Sequence, residues 1–280
     1  MKVANCGGRA VIVLGDEMAD IAEATGGRFG PDPMSIYDNW GDFLDTASNI
    51  TTGTAPLREA DLRCPVPVPH QVFAIGLNYR THAEESGMVV PDVPATFTKF
   101  PASLGGPFDD IEIVGETTDW EVELVAVIGH RADRVREADG WSHVAGLTVG
   151  QDISDRHLQF AAGSQFSLGK SRRGYGPIGP WIVTLDEFRH PDDLALGCSV
   201  DGEKMQEART ADLIFSVPRL VAELSAVLPL LPGDIIFTGT PAGIGMVRQP
   251  PRFLAPGEVL ETWIEGIGTM RNSCVAGEDT

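Results

Sequence analysis

Hydrophobic and polar positions alternate over short stretches of this chain, a pattern typical of β-strands rather than long helices. The clearest stretch is "DWEVELVAVIG", residues 119–129. With a period of two, one face carries Trp120, Val122, Leu124, Ala126 and Ile128, and the other carries Glu121, Glu123, Val125 and Val127. The stretch predicts a buried strand that begins with two carboxylates on one side. Because burying an unpaired charge is costly, we expect a positive group opposite them.

Other apolar runs predict further short strands, including a hairpin in "GCSVDGEKMQEA" with Asp201 and Gly202 at its turn. The clearest helix is "SVPRLVAELSAVLPL", where Ser216 suits the N-cap and Pro218 lies in the first turn. Shorter helices are predicted in "SIYDNWGDFLDTA", "NYRTHAEES" and "DRHLQFAA". Many strands with few helices, in no regular alternation, predict a β-rich α+β fold.

A proline-rich segment, "RCPVPVPHQV", predicts a stiff extended connector, because proline fixes φ and cannot continue a helix. At 280 residues and 30.0 kDa the chain can form a main domain and a small one. We therefore predict a small N-terminal α+β domain over residues 1–65 and a catalytic domain over residues 66–280.

Composition narrows the classes of partner. The formal net charge of −19, from 40 acidic and 21 basic residues, disfavours nucleic acid and anionic membrane surfaces. The four cysteines are scattered and suggest neither a zinc site nor a disulfide framework. Without a sustained apolar segment, the chain is expected to be cytoplasmic. Disorder is expected only at the C-terminal "VAGEDT", residues 275–280.

Common catalytic motifs are missing. "GSQFSLGKS" has the wrong spacing for a phosphate-binding loop, since five residues separate Gly163 from Gly169 where four are required. The sequence has no GxGxxG after a strand and no GxSxG elbow. Nucleotide binding and serine hydrolysis are therefore disfavoured.

Three carboxylates form the first candidate constellation: Glu121, Glu123 and Asp152, which follows a later predicted strand in "VAGLTVGQDIS". Carboxylates that converge with water suit a hard divalent cation. Alternatively, the two glutamates face solvent on an edge strand and Asp152 caps the next helix. Spacing alone does not decide between these interpretations.

A second constellation pairs His82 with Glu85, three residues apart on one helix face. A histidine oriented by a carboxylate suits a general base, although a solvated surface pair would have the same spacing. Lys170, in a glycine-rich loop, could stabilise an oxyanion. Arg156 and Gln159 could bind a substrate carboxylate, and Thr240 in "TGTPAGIG" could bind a substrate oxygen.

Several motifs, taken in order, resemble the fumarylacetoacetate hydrolase family from about residue 70 onward. The motifs are "GLNYRTHAEE", "TFTKFPASLGGP", "DWEVELVAVIG", "VAGLTVGQDIS", "LGKS", "GPIGPWIVT" and "FTGTPAGIG". The resemblance implies a mixed β-roll, a homodimer, and one Mg²⁺ or Mn²⁺ per chain, with Ca²⁺ as another option. It implies metal ligands Glu121, Glu123 and Asp152; catalytic residues His82, Glu85 and Lys170; and substrate contacts Arg156, Gln159, Tyr175 and Thr240.

The chain departs from the family at two places. Many members read "DVSARDLQ" and "SFDGFGP" where this chain has "DISDRHLQ" and "SRRGYGP". Asp155 and His157 are unusual, and His157 is not assigned to catalysis. Arg172 and Arg173 either meet a second anionic group of the substrate or form a surface pair.

The resemblance implies hydrolytic cleavage of a C–C bond in a 2,4-dioxo acid such as an acylpyruvate or fumarylpyruvate-like substrate, within aromatic or sugar acid catabolism. In this reaction the metal holds the enolate and His82 with Glu85 activates water. The alternative is decarboxylation or tautomerisation of an oxaloacetate-like acid at the same site, because fold resemblance does not choose among them. A binding protein without catalytic activity is a third interpretation.

Overall fold

The structure is a computed structural model that describes residues 1–277. Over this range the backbone forms nineteen strands and five α-helices. The strands are β1 Lys2–Cys6, β2 Arg9–Leu14, β3 Glu17–Asp20, β4 Ala55–Pro56, β5 Leu62–Arg63, β6 Val72–Gly76, β7 Ala95–Thr98, β8 Leu104–Gly105, β9 Ile111–Ile113, β10 Thr118–Asp119, β11 Val122–Ile128, β12 Val144–Gln151, β13 Ser154–Asp155, β14 Gly176–Thr184, β15 Ala195–Val200, β16 Glu203–Arg209, β17 Ile235–Phe237, β18 Val259–Ile264 and β19 Gly268–Ala276. The helices are α1 Ile21–Ala24, α2 Trp40–Ala47, α3 Arg80–Glu85, α4 Arg156–Ala161 and α5 Val217–Val227.

Two large sheets dominate the fold. The larger has twelve strands, ten of them in the order β4-β3-β2-β1-β14-β12-β11-β17-β6-β7, with β5 paired to β1 and β8 to β14. The smaller has five strands in the order β16-β15-β18-β19-β9. Strand pairing is mixed, because β17 and β6 are parallel while most neighbours are antiparallel. The predicted β-rich α+β class is confirmed.

Strand β11 lies inside the larger sheet, between β12 and β17, and all of its residues are buried. Its two faces pack in different apolar clusters. One face contributes Val122, Leu124, Ala126 and Ile128 to one cluster, and the other contributes Val125 and Val127 to a second. The period-two pattern therefore reflects a strand covered on both sides, with its carboxylates at one end.

Local predictions from turn and cap chemistry are met. Asp201 and Gly202 both have positive φ, at 48° and 81°, in the turn of the β15–β16 hairpin. A positive φ at both positions suits the right-handed twist of the paired strands. Ser216 takes the predicted N-cap position of α5, which has a proline in its first turn, but its side chain forms no capping hydrogen bond. Val275 and Ala276 of the "VAGEDT" segment belong to β19, and residues 278–280 lie outside the described residues.

The segment assigned to the N-terminal domain, residues 1–65, joins the larger sheet directly. β1 pairs with β14, and residues of both segments share one apolar cluster, as Ile12 and Phe43 do with Ile178. None of the helices in residues 1–277 has the length and apolar character needed to cross a bilayer.

The sheet order explains how distant parts of the sequence meet. Because β6 and β17 are parallel and β11 runs antiparallel to β17, the ends of β6 and β17 lie at the same sheet edge as the start of β11. The end of β12 joins them, since Val122 is opposite Gln151. Residues that follow or precede these strands are therefore brought together at one edge.

Candidate active site

Three buried carboxylates converge at this sheet edge. Glu121 directly precedes β11 and Asp152 directly follows β12, and the Asp152 N–H donates to the Glu121 carbonyl at 2.9 Å. One carboxylate oxygen from each of Glu121, Glu123 and Asp152 lies within 4.8 Å of the others. Their exposures are 6%, 1% and 1%. The two glutamates are therefore buried rather than solvent-facing. The N-cap residue of α4 is Asp155, so Asp152 is not a helix cap.

Positive groups lie against these carboxylates, as the strand pattern requires. Lys170 Nζ is 2.8 Å from Glu121 Oε2 and 2.7 Å from Asp152 Oδ2. Lys99 Nζ is 2.7 Å from Asp152 Oδ1, and an Arg156 nitrogen is 2.7 Å from Glu121 Oε1. Burial alone would lower the pKa of Lys170, but Asp152 and Glu121 outweigh it and raise that pKa. The Lys170 ammonium therefore stays protonated.

Glu123 differs from Glu121 in its surroundings. Burial raises the pKa of Glu121, but Lys170 and Arg156 outweigh burial and hold that pKa at about 2. Burial also raises the pKa of Glu123, where Asp152 and Glu121 add to the rise. Its Oε2 accepts the Gly239 N–H at 2.7 Å. Glu123 is thus the member of the set with the largest need for a further positive charge.

The donor chemistry fits a divalent cation. Three carboxylates supply only hard oxygen donors, which Mg²⁺, Mn²⁺ and Ca²⁺ prefer to soft sulfur donors. Their oxygens already lie within 4.8 Å of one another and are buried, so a small ion could contact all three. Glu121, Glu123 and Asp152 would hold it.

In the His82–Glu85 pair, the histidine is buried and the glutamate is half-buried. His82 Nδ1 lies 2.8 Å from Glu85 Oε1, and His82 is 8% exposed. The second oxygen of Glu85 accepts the Gly243 N–H at 2.9 Å. Gly243 has φ +109°, and a Cβ there would lie 2.4 Å from the Met205 carbonyl oxygen. Only glycine allows this loop to approach β16 so closely, and the loop in turn fixes Glu85.

A cavity of about 360 Å³ brings most of the predicted residues together. The predicted residues that line it are His82, Glu121, Arg156, Gln159, Lys170 and Thr240. Tyr175 does not line it: this fully buried side chain lies 3.1 Å from the Thr118 hydroxyl and donates to the Glu112 carbonyl at 3.2 Å. The resemblance placed Tyr175 among the substrate contacts, whereas the structure places it in the core.

Helix α4 carries Arg156 and Gln159 and is held by the residues that depart from the family pattern. Asp155 accepts the Leu158 N–H at 3.0 Å and pairs with Arg172 at 2.8 Å. Arg172 is therefore bound to Asp155, and Arg173 is exposed. The two unusual residues Asp155 and Arg172 compensate each other's charge.

Three functional candidates were not predicted from the sequence. Lys99 is fully buried, and burial lowers its pKa against the attraction of Asp152. Asp119 accepts from Arg156 Nε at 2.8 Å, and Gln206 donates to Thr240 Oγ1 at 2.8 Å. Asp119 shares the period-two face of Glu121 and Glu123, and this signal could have revealed it. No comparable signal marks Lys99 or Gln206.

Comparison with known proteins identifies similar sequences and folds. The sequence profile described as "Fumarylacetoacetate (FAA) hydrolase C-terminal" matches residues 71–275. A Mycobacterium smegmatis crystal structure with the provisional name HpcE shares 46% identity and a TM-score of 0.95, covering 99% of this chain and 100% of that one.

Two further relatives carry names that describe an activity. The crystal structure of maleylpyruvate hydrolase from Sphingobium sp. SYK-6, with manganese(II) and pyruvate, has 30% identity and a TM-score of 0.82, covering 99% and 100% of the two chains. The mitochondrial oxaloacetate tautomerase Fahd2a of Rattus norvegicus is 39% identical over 79% of this chain and 71% of its own. The motifs, the fold and these matches agree: this chain belongs to the fumarylacetoacetate hydrolase family.

Proposed function

We propose that this protein is a divalent-metal-dependent hydrolase that cleaves the C–C bond of a 2,4-dioxo acid. The observation that carries the proposal is the His82–Glu85 pair, whose histidine lines the same cavity as Glu121 of the acidic cluster. A base oriented in this way is needed to activate water. Tautomerisation or decarboxylation has no need to activate a water molecule.

Glu85 determines what His82 can do. Because an ionised Glu85 carboxylate only accepts hydrogen bonds, it favours the neutral His82 tautomer with the proton on Nδ1, in which Nε2 is the acceptor. His82 Nε2 would take a proton from water as the water oxygen attacks the C4 carbonyl carbon. The C3–C4 bond then breaks, its electron pair passes to C3, and protonation of C3 releases the 2-oxo acid and a carboxylic acid.

Lys170 and Thr240 would stabilise the charge that forms on the C4 oxygen. The Lys170 ammonium has three N–H donors, of which Glu121 and Asp152 take two. The third can donate to the oxyanion. Thr240 Oγ1 accepts from Gln206, which leaves the hydroxyl proton free to donate to a substrate oxygen.

A cation held by Glu121, Glu123 and Asp152 would act as a Lewis acid toward the 2-oxo acid group. The manganese(II) in the maleylpyruvate hydrolase structure supports this assignment, and we propose Mg²⁺ or Mn²⁺ as the cation. Arg156 and Gln159 on α4 would contact the substrate carboxylate. We further propose a cytoplasmic homodimer, a prediction that comes from the family resemblance and the sequence.

The second candidate is tautomerisation of oxaloacetate. It is favoured by the 39% identity to the rat protein named as an oxaloacetate tautomerase. In that reaction His82 would move a proton between oxygen and carbon without activating water.

An assay of metal dependence tests the proposed function. With Mn²⁺ or Mg²⁺, the enzyme is expected to release pyruvate from 2,4-dioxopentanoate, detected with lactate dehydrogenase. EDTA should lower the rate at least about 100-fold, because Lewis-acid polarisation is worth several kcal/mol. Oxaloacetate is assayed in parallel for enol-to-keto conversion. If only oxaloacetate were turned over, the second candidate would replace the first, and no metal-dependent reaction of either acid would contradict both.

Gln206 is expected to position the Thr240 loop. Its amide donates to Thr240 Oγ1 and to the Pro241 carbonyl, both at 2.8 Å, and accepts the Val122 N–H at 2.9 Å. Gln206→Leu should lower kcat by about 10-fold or more, because the loop that holds Thr240 and Glu85 loses its anchor to β11.

The control is Gln71→Leu, which loses side-chain bonds to Pro229 and Asp234 at a distance from the cavity lining. Both variants should unfold at lower temperature, but only Gln206→Leu should lose kcat. Mn²⁺ affinity should stay unchanged in both. Equal kcat losses in the two variants would show that general destabilisation, and not positioning, explains the effect.

A further inference from the structure

The cavity has an aromatic wall made of Phe97 in β7, Phe160 in α4 and Phe166 in the loop after α4. Phe97 and Phe166 have ring centroids 6.0 Å apart at 73°, and Phe160 and Phe166 have centroids 5.6 Å apart at 76°. These edge-to-face contacts hold the three rings as one surface. Phe160 is 42% exposed, so the surface is open to a ligand.

The aromatic wall begins next to the group proposed to bind the oxyanion. Lys170 Nζ lies 5.5 Å from the centre of the Phe97 ring. In the proposed reaction Lys170 contacts the oxygen of the C4 carbonyl. The substituent on that carbonyl would therefore lie toward Phe97 and the two rings beyond it.

The same cavity offers no free cation for a second carboxylate in the part of the chain that the structure describes. The lysine and arginine that line it are Lys170 and Arg156. Both are bound to carboxylates, and the proposed reaction already assigns them to the C4 oxygen and to the first substrate carboxylate. Arg172 is bound to Asp155 and does not line the cavity. Other apolar side chains also line the cavity, among them Met88 and Met246. A distal carboxylate placed here would be desolvated without a partner, which is unfavourable.

From the aromatic wall, its contact with Lys170 and the absence of a free cation there, we infer that the substrate is a 2,4-dioxo monoacid whose C4 substituent is a bulky apolar group, aromatic or branched alkyl. This inference rests on the proposed function and names its substrate class. The inference distinguishes this chain from an enzyme that acts on diacids, since the C4 substituent of the substrate would be recognised by apolar contacts rather than by a charged partner.

The test compares kcat/KM, with Mn²⁺, for 2,4-dioxo acids that carry a methyl, isobutyl, phenyl or carboxyethyl group at C4. We expect the isobutyl and phenyl acids to exceed the methyl acid by about 10- to 100-fold, the range for filling an apolar pocket. The carboxyethyl acid should fall below the methyl acid. A preference for the carboxyethyl acid, or equal values for all four, would overturn the inference while leaving the proposed hydrolysis intact.

A variant pair assigns the selectivity to the wall. Phe166→Ala should lower the isobutyl-to-methyl ratio about 10-fold. Phe100→Ala is the matched control, because Phe100 is 48% exposed but does not line the cavity, and it should leave the ratio unchanged. If no acid is hydrolysed, the proposed function fails. The inference is then tested separately by calorimetry, which gives the ratio of the dissociation constants of the methyl and isobutyl acids. An unchanged ratio in Phe166→Ala would overturn it.

Discussion

Replacing His82 with alanine should lower the hydrolysis of 2,4-dioxopentanoate by about 100- to 10,000-fold, the usual contribution of a positioned general base. The loss should fall on kcat and kcat/KM together, because the proton transfer occurs in the transition state. Mn²⁺ affinity should remain close to that of the unmodified protein, since His82 contacts Glu85 and is not a member of the carboxylate cluster. Pyruvate release and Mn²⁺ titration measure the two properties on the same sample.

His157→Ala is the matched control for this variant. His157 lies on α4, one residue from Arg156, but it is exposed and does not line the cavity. Its removal should leave kcat unchanged. If His82→Ala retained full hydrolysis, another group would have to activate water. If it lost hydrolysis but kept oxaloacetate tautomerisation, the base would be specific to the water-dependent reaction.

The strand that holds the cluster could be predicted because its signal is local. Alternation in residues 119–129 placed Glu121 and Glu123 on one face, and the structure has that parity. Asp152 is grouped with them as a candidate because it follows a later predicted strand, but spacing alone leaves this open and the family resemblance is what assigns it to the ligand set. The physical reason for its position is a pairing register, Val122 opposite Gln151, that no local pattern reports.

Groups whose role depends on long-range contact were missed. Lys99 lies 53 residues before Asp152 in the chain, and only the packed fold brings its ammonium to that carboxylate. Gln206 belongs to the smaller sheet but bonds to residues at an edge of the larger one. Spacing along the sequence carries no information on either contact. Conversely, Tyr175 was selected by its position in a motif, although its side chain faces the core.

The division into domains at residues 65 and 66 stays a prediction, because strand pairing alone does not define a domain boundary. The proline-rich connector was read as a boundary at residues 65 and 66, because its backbone cannot form a helix. The structure shows β1 paired with β14 across that point. A break in local pattern marks a change of secondary structure, but sheet pairing can continue through another part of the chain.

Glu123→Gln should eliminate Mn²⁺ binding and hydrolysis while stabilising the metal-free protein at neutral and higher pH. The substitution removes one carboxylate oxygen ligand from the set of three. It also removes the buried carboxylate whose pKa is raised by burial and by Asp152 and Glu121. The gain in the free energy of unfolding should be on the order of 1 kcal/mol at pH 8.

The raised pKa of Glu123 determines how the stability of the metal-free protein changes with pH. A carboxyl with a raised pKa in the folded state holds its proton more tightly there than in the unfolded chain. The metal-free protein therefore loses stability as pH rises from the ordinary value of 4.5 toward the raised pKa of Glu123. Glutamine does not ionise, so the variant lacks this loss. The stability difference should grow between pH 5 and pH 8, measured by urea unfolding in EDTA.

Adding Mn²⁺ should make the unmodified protein more stable than Glu123→Gln. At a concentration of 100 times its dissociation constant, the ion should stabilise the unmodified protein by about 2.7 kcal/mol and leave Glu123→Gln unchanged. Glu112→Gln is the control, since Glu112 is an exposed strand glutamate and should give neither effect. A Glu123→Gln variant that still bound Mn²⁺ tightly would remove Glu123 from the ligand set. If the difference in the free energy of unfolding between Glu123→Gln and the unmodified protein, both metal-free, were the same at pH 5 and pH 8, the charge of Glu123 would already be compensated within the fold.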